Sequence, residues 1–173
     1  MGAQANPIVD AARAQIGVTV LYDPSYVGLA FPNGDVDRRR GVCSDVVIRA
    51  LRDAHDFDLQ SQINRDMTSN FSDYPQNWGL RTTDRNIDHR RVPNLRRFFE
   101  RRGAALPVRY DLDAYQPGDI VTWVLPGNLT HIGVVSDTSR NGVPLIIHNI
   151  GAGTQEEDIL FVYDITGHYR LQF

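Results

Sequence analysis

The chain has 173 residues, of which 42% are hydrophobic and 23% charged, with a net charge of −3 and a pI near 5.9. That suits one soluble-type domain with a real core and argues against a general nucleic-acid binder, which is usually basic. A lone cysteine excludes an internal disulfide and a four-cysteine zinc site, and no stretch approaches the roughly 18 apolar residues of a membrane span.

All 18 cationic residues are arginine, so Schiff-base or general-base lysine chemistry is ruled out. The N-terminal stretch 1–17 has no basic segment followed by an apolar run, so no signal peptide is expected within it. Its opening Met1-Gly2-Ala3 fits a trimmed secreted protein as well as a cytosolic start.

Asn6 and Pro7 read as an N-cap and first helical position, opening a helix to about Ile16. Residues 22–41, rich in Pro, Gly, Asp and Tyr, read as a long loop. A second helix is expected from Ser44 to about His55, with Val46, Val47, Ala50, Leu51 and Ala54 on one face. A third is expected over 58–70, then irregular chain over 71–92. Pro93 opens a fourth, which ends near Gly103 and turns Leu95, Phe98 and Phe99 inward.

The pattern then changes. DIVTWVL (119–125), HIGVVS (131–136), PLIIHNI (144–150), ILFVYDI (159–165) and GHYRLQF (167–173) are short, β-branched or aromatic, and bounded by turn residues. Helices before strands imply an α+β fold with an antiparallel sheet in a single domain over 1–173, helical to about 105 and sheet from about 106.

Cys43 stands at the start of the second helix. There the helix dipole and unpaired amides favour thiolate over thiol, and the thiolate is the nucleophile. The alternative is a small packed hydrophobe. Two of the five histidines, His131 and His148, fall on neighbouring predicted strands. A hairpin centred near Ser139–Arg140 puts them directly opposite, with Cβ atoms about 5 Å apart. A tight turn on Asn141–Gly142 shifts the register by about four residues. One imidazole can serve as base toward the thiol while the other orients it. A metal site of Cys43, His131 and His148 is a second possibility, but no short-spaced ligand pair supports it.

Four segments in order carry a resemblance: GVCSDVVIRA (41–50), QPGDIVTW (116–123), HIGVVSD (131–137) and IIHNIG (146–151). The set resembles the NlpC-type cell-wall peptidases of the papain-like superfamily. That resemblance implies N-terminal helices packed on a small antiparallel sheet, a catalytic Cys43, His131 and His148, and no cofactor. It also implies peptidoglycan peptide stems as the substrate and a periplasmic or secreted location. The whole chain, through AARAQIGVT (11–19), DRNIDHRRVPNL (84–95) and ITGHYR (165–170), further resembles a bacterial family described as a domain of unknown function. Val42-Cys43-Ser44-Asp45 departs from the usual Asp-Cys-Ser-Gly, and the loop before Cys43 with its DRRR (37–40) is long.

Other residues are weighed beside these. Tyr22, Ser44 and Asp45 are candidates for the oxyanion or substrate side, with Asp45 also placed to favour the helix dipole or pair with an arginine. Asp88, His89 and Arg90 are candidate substrate-binding residues, because arginine holds carboxylates bidentately, and are otherwise a paired scaffold. Asn149 points to the opposite sheet face from His148 and is the fallback third member of the triad. Asp119 reads as a strand-start residue, His55 as a charge at a helix C-terminus, and His168 has no visible partner. The expected activity is cysteine-dependent amide hydrolysis through an acyl-thioester. A non-catalytic wall-peptide binder and an acyltransferase or thioesterase on the same residues are the competing readings. Oligomeric state is not legible.

Overall fold

The computed structural model describes residues 4–173; the Met1-Gly2-Ala3 opening lies outside them. Helix α1 runs Pro7–Arg13, and the Asn6 side chain accepts hydrogen bonds from the amides of Ile8 and Val9 at 3.0 and 3.3 Å. It is shorter than its sequence pattern suggests, because residues 14–18 continue as turns. Strands β1 (Leu21–Tyr22) and β2 (Arg40–Gly41) form a small parallel pair. The pair folds the long loop back beside the residues that precede Cys43. Helix α2 is Cys43–His55, α3 is Leu59–Ser69 with Asp58 as its cap, and α4 is Val92–Arg101. The intervening chain holds single 3-10 turns at Phe71–Asp73 and Asp88–Arg90.

The second half supplies β3 (Ala105–Leu106), β4 (Ile120–Leu125), β5 (Leu129–Arg140), β6 (Val143–Asn149), β7 (Thr154–Glu157) and β8 (Asp164–Tyr169). They make one antiparallel sheet in the order β3-β8-β4-β5-β6-β7. The fold is therefore α+β, with helices first and sheet second. Helices α1, α2 and α4 pack on one sheet face, where Ile120, Ile132, Val134, Ile147 and Tyr169 join Val46, Val47 and Phe99 in the main core. On the other face Val121, Trp123, Val135, Ile146 and Ile165 meet Tyr115 and Leu160. Both faces are covered, so the central strands read as continuous apolar runs rather than alternating ones.

The strand pattern after residue 150 differs from expectation. Residues 159–163 are turn and coil, and one strand, β8, replaces the two predicted over 159–165 and 167–173. Their apolar side chains cover the second face as a loop: Trp123 Nε1 donates to Leu160 O at 3.0 Å. Strand β7, with sequence TQEE, has no apolar signal at all and exists because β6 offers it a ladder.

The β5–β6 hairpin decides where the histidines go. It turns on Asn141 (φ 51°) and Gly142 (φ 81°), the left-handed pair that a tight two-residue hairpin demands. A bulge between Val135 and Ser139 then returns part of the offset, so that Val134 lies opposite Ile147. One step further along, Gly133 faces His148, and His131 becomes its diagonal neighbour rather than its direct opposite. A Cβ on Gly133 would lie 2.7 Å from Ile146 Cγ2, 3.1 Å from Ile147 O and 3.2 Å from His148 Cβ. Gly133→Ala is therefore expected to lower stability by about 1–3 kcal/mol. Urea unfolding of the variant checks this; an unchanged midpoint would show that the strands absorb the methyl group freely.

Candidate active site

Asp45 sets the start of α2. Val42, the N-cap, has no side-chain acceptor, so only the reverse arm of a capping box is made: Asp45 Oδ2 accepts from Val42 N at 2.7 Å. The same carboxylate takes a two-pronged ion pair from Arg90, Nε to Oδ1 at 3.1 Å and Nη2 to Oδ2 at 2.8 Å. Both side chains are buried. The sequence alternatives for Asp45 thus resolve in favour of the arginine partner, and its oxygens are committed within the protein.

Cys43, 6% exposed, lines a cleft of about 460 Å³. Tyr22, Trp78, Arg90, Arg91, Leu129 and Thr130 are among the other walls. The amides of Ile132, Ser44 and Cys43 itself face the sulfur and favour its anion. Burial outweighs them, and with the nearby Asp45 charge it pushes the thiol up to about 11. This corrects the expectation of a depressed thiol: the helix start supplies its amides, yet desolvation wins.

The two imidazoles come together. His131 Nε2 and His148 Nδ1 are 2.8 Å apart, with ring centroids at 5.0 Å. Trp123 packs 5.7 Å from the His131 ring. Behind them stands a residue that the sequence reading missed. His148 Nε2 lies 3.0 Å from Glu157 Oε1 on β7. The order of hydrogens follows from that carboxylate. Glu157 can only accept, so His148 Nε2 donates and His148 Nδ1 accepts. His131 Nε2 must then donate, which leaves the lone pair on His131 Nδ1. Among the described residues that nitrogen has no hydrogen-bond partner, yet it is not one of the sealed unpaired atoms, so it keeps some contact with solvent. Glu157 was invisible in the sequence because its strand carries no apolar pattern; only a polar run placed after the His148 strand hinted at a sheet edge.

Cys43 and His131 meet at the β5 backbone rather than through a direct bond. The Ile132 amide, in the peptide that follows His131, lies where it favours the sulfur anion, and the sulfur makes no hydrogen bond to either imidazole. Such contacts are commonly long before substrate binds. Because the two imidazoles bond each other, two of the nitrogens needed for the alternative metal site are already engaged, and no group of three His, Cys, Asp or Glu among the described residues is arranged to hold an ion.

The remaining candidates divide. Tyr22 lines the cleft, and burial, with the nearby Asp45 charge as a lesser cause, raises its phenol above the usual range. Arg90 also lines it, though paired to Asp45. Asp88 and His89, each 2% exposed, do not reach the cleft, which corrects their substrate-binding assignment. Asp88 accepts from Asp84 N at 2.6 Å and so fixes the turn before Arg90. Ser44 turns away, its Oγ donating to Arg90 O at 2.8 Å. Asn149 is not the third member beside His131. It donates to Gly41 O at 3.4 Å and accepts from Gly151 N, tying β6 to the approach to Cys43. His168 does have a partner: Asp119 lies 2.6 Å away and also holds Arg170. His55 stacks on Phe173 at 4.0 Å.

The chain belongs to the family described as "Domain of unknown function (DUF1287)", whose model matches residues 9–171. It is 57% identical over 164 residues to the "Uncharacterized protein YijF" of Escherichia coli (strain K12), an alignment covering 94% of this chain and 80% of that protein.

Burial holds His131 down to about 3 and His89 to about 4, and keeps His148 below its usual value although Glu157 pulls it the other way. Each lies below the ordinary value of 6.5, so the unfolded chain binds protons that the folded chain refuses. Stability is therefore full above about pH 6.5 and falls as the pH drops toward 4. Urea midpoints at pH 7 and pH 4.5 should show that fall, and His89→Gln should flatten it. Equal midpoints would mean that the imidazoles charge without resistance.

Proposed function

We propose that this protein is a cysteine-dependent amide hydrolase acting on peptidoglycan peptides, with a papain-like NlpC-type core. The observation that carries the reading is the relay Glu157–His148–His131, which leaves an unprotonated Nδ1 on the imidazole that directly precedes Ile132, whose amide favours the Cys43 thiolate. In this reading the His131 Nδ1 lone pair takes the thiol proton as Cys43 attacks the substrate carbonyl. His148 orients His131 and Glu157 orients His148. Amides at the α2 start and Tyr22 lie on the side where the oxyanion would form. The C–N bond then breaks as His131 gives the proton it took to the leaving amine, which departs, and water, deprotonated by the freed His131, cleaves the acyl-thioester and returns the Cys43 thiol. The protein would then work where peptidoglycan lies, in the periplasm or outside the cell.

Both reacting groups rest neutral, His131 with a value of about 3 and Cys43 with about 11. The pair is thus a general base and a thiol, not a preformed thiolate–imidazolium. The expected kcat/KM is flat from about pH 5 to about pH 9, and iodoacetamide modifies Cys43 slowly at neutral pH. Cys43→Ala abolishes turnover with the fold retained. Glu157→Gln, two bonds removed from the base and half-exposed, lowers kcat about tenfold. Digestion of purified peptidoglycan, with fragments identified by mass, provides the assay; a Cys43→Ala protein as active as wild type would end the hydrolase reading.

The raised thiol also favours a second reading, a module that binds wall peptides without cutting them. Binding of stem peptides by wild-type protein that releases no fragments would select it.

A further inference from the structure

The cleft beside Cys43 has an unbalanced charge. The chain as a whole is acidic, at −3, but no acidic side chain lines this cleft, whereas two arginines do. Arg90 is neutralised by its buried pair with Asp45. Arg91 has no ion pair and no side-chain hydrogen bond among the described residues, and its Nη1 is sealed from solvent without a partner. Its guanidinium lies over the Trp78 ring, with Cζ 4.2 Å from the centroid. Stacking orients the fork and leaves its N–H edge for an acceptor in the plane. Asp88 is the acid whose charge reaches Arg91, from behind the cleft, through space rather than by an ion pair. Arg91 Nε and Nη2, unlike Nη1, are not sealed and also have no partner among the described residues, so an acceptor can reach them.

We infer that Arg91, held by Trp78, is a subsite for a carboxylate of the ligand, so that the peptides taken by this cleft carry a free carboxylate close to the amide presented to Cys43. A carboxylate matches the planar fork with two parallel hydrogen bonds, and the low-dielectric cleft strengthens them. The inference rests on the proposed peptide chemistry for its choice of ligand, but its recognition step is separate from cleavage.

Calorimetric titration of the Cys43→Ala protein with a synthetic stem tetrapeptide, and with the same peptide carrying its carboxylates as amides, tests it. The free acid should bind about tenfold more tightly. Arg91→Met should remove that preference by weakening the acid form alone, and Arg91→Lys should restore part of it. Equal affinity for the two peptides, or a preference that survives Arg91→Met, overturns the subsite. Turnover of the same two peptides by wild-type protein separates the two ideas. Preference without turnover removes the hydrolase and keeps the subsite; turnover without preference does the reverse.

Discussion

The Asp45 carboxylate is the constraint around which the site is arranged. A buried charge must be matched, and this one is matched twice: by the amide of Val42, the N-cap of α2, and by both nitrogens on one edge of Arg90. Those bonds join the loop ending at Val42 and the helix that follows it to the turn Asp88–Arg90, 45 residues away in sequence. Ser44 adds a fourth connection through Arg90 O. The cysteine therefore starts a helix whose position is dictated from below by ion pairing and from above by strand β5. One wall of the cleft, at Arg90 and Arg91, comes from the segment that Asp45 anchors.

A second anchor lies in the loop before α2. Arg49, fully buried, holds Asp35 through Nε and Nη2 and donates to Arg40 O. Asn149 reaches the same segment from the sheet, at Gly41 O. The approach to Cys43 is thereby bonded to both layers. This accounts for a thiol that sits at a helix start, where isolated physics favours ionisation, yet titrates high. The packing that fixes its position also strips it of water, and desolvation exceeds the pull of three amides. The imidazoles obey the same rule with the opposite sign of charge, and both halves of the pair remain neutral across the physiological range.

Much of this was readable in the chain. Three of the four helices, α1, α3 and α4, were legible from a cap or a proline at the start, as with Asn6-Pro7 and Val92-Pro93, and α2 from its apolar face of period 3.6. The strands β4, β5 and β6 were legible from dense β-branched runs. The failures share a cause. ILFVYDI is apolar but lies in a loop because the second sheet face needs a cover, and TQEE is polar but forms a strand because an edge needs a partner. In both places tertiary demand overrides local propensity. Asp88, His89 and Arg90 looked like one polar cluster, yet burial separated them into scaffold and cleft wall.

The amino-acid order by itself determined the α+β division, the helix start at Cys43 and the candidacy of His131 and His148, since these follow from periodicity, caps and residue chemistry that act over a few positions. Only the tertiary structure decided the rest. A two-residue turn and a bulge set the hairpin register, which made the histidines diagonal and let their ring nitrogens meet. Sheet closure brought Glu157 behind them, and burial settled the protonation of sulfur and imidazole. Register, edge pairing and desolvation depend on what the rest of the chain places nearby, and no local stretch of sequence contains that information.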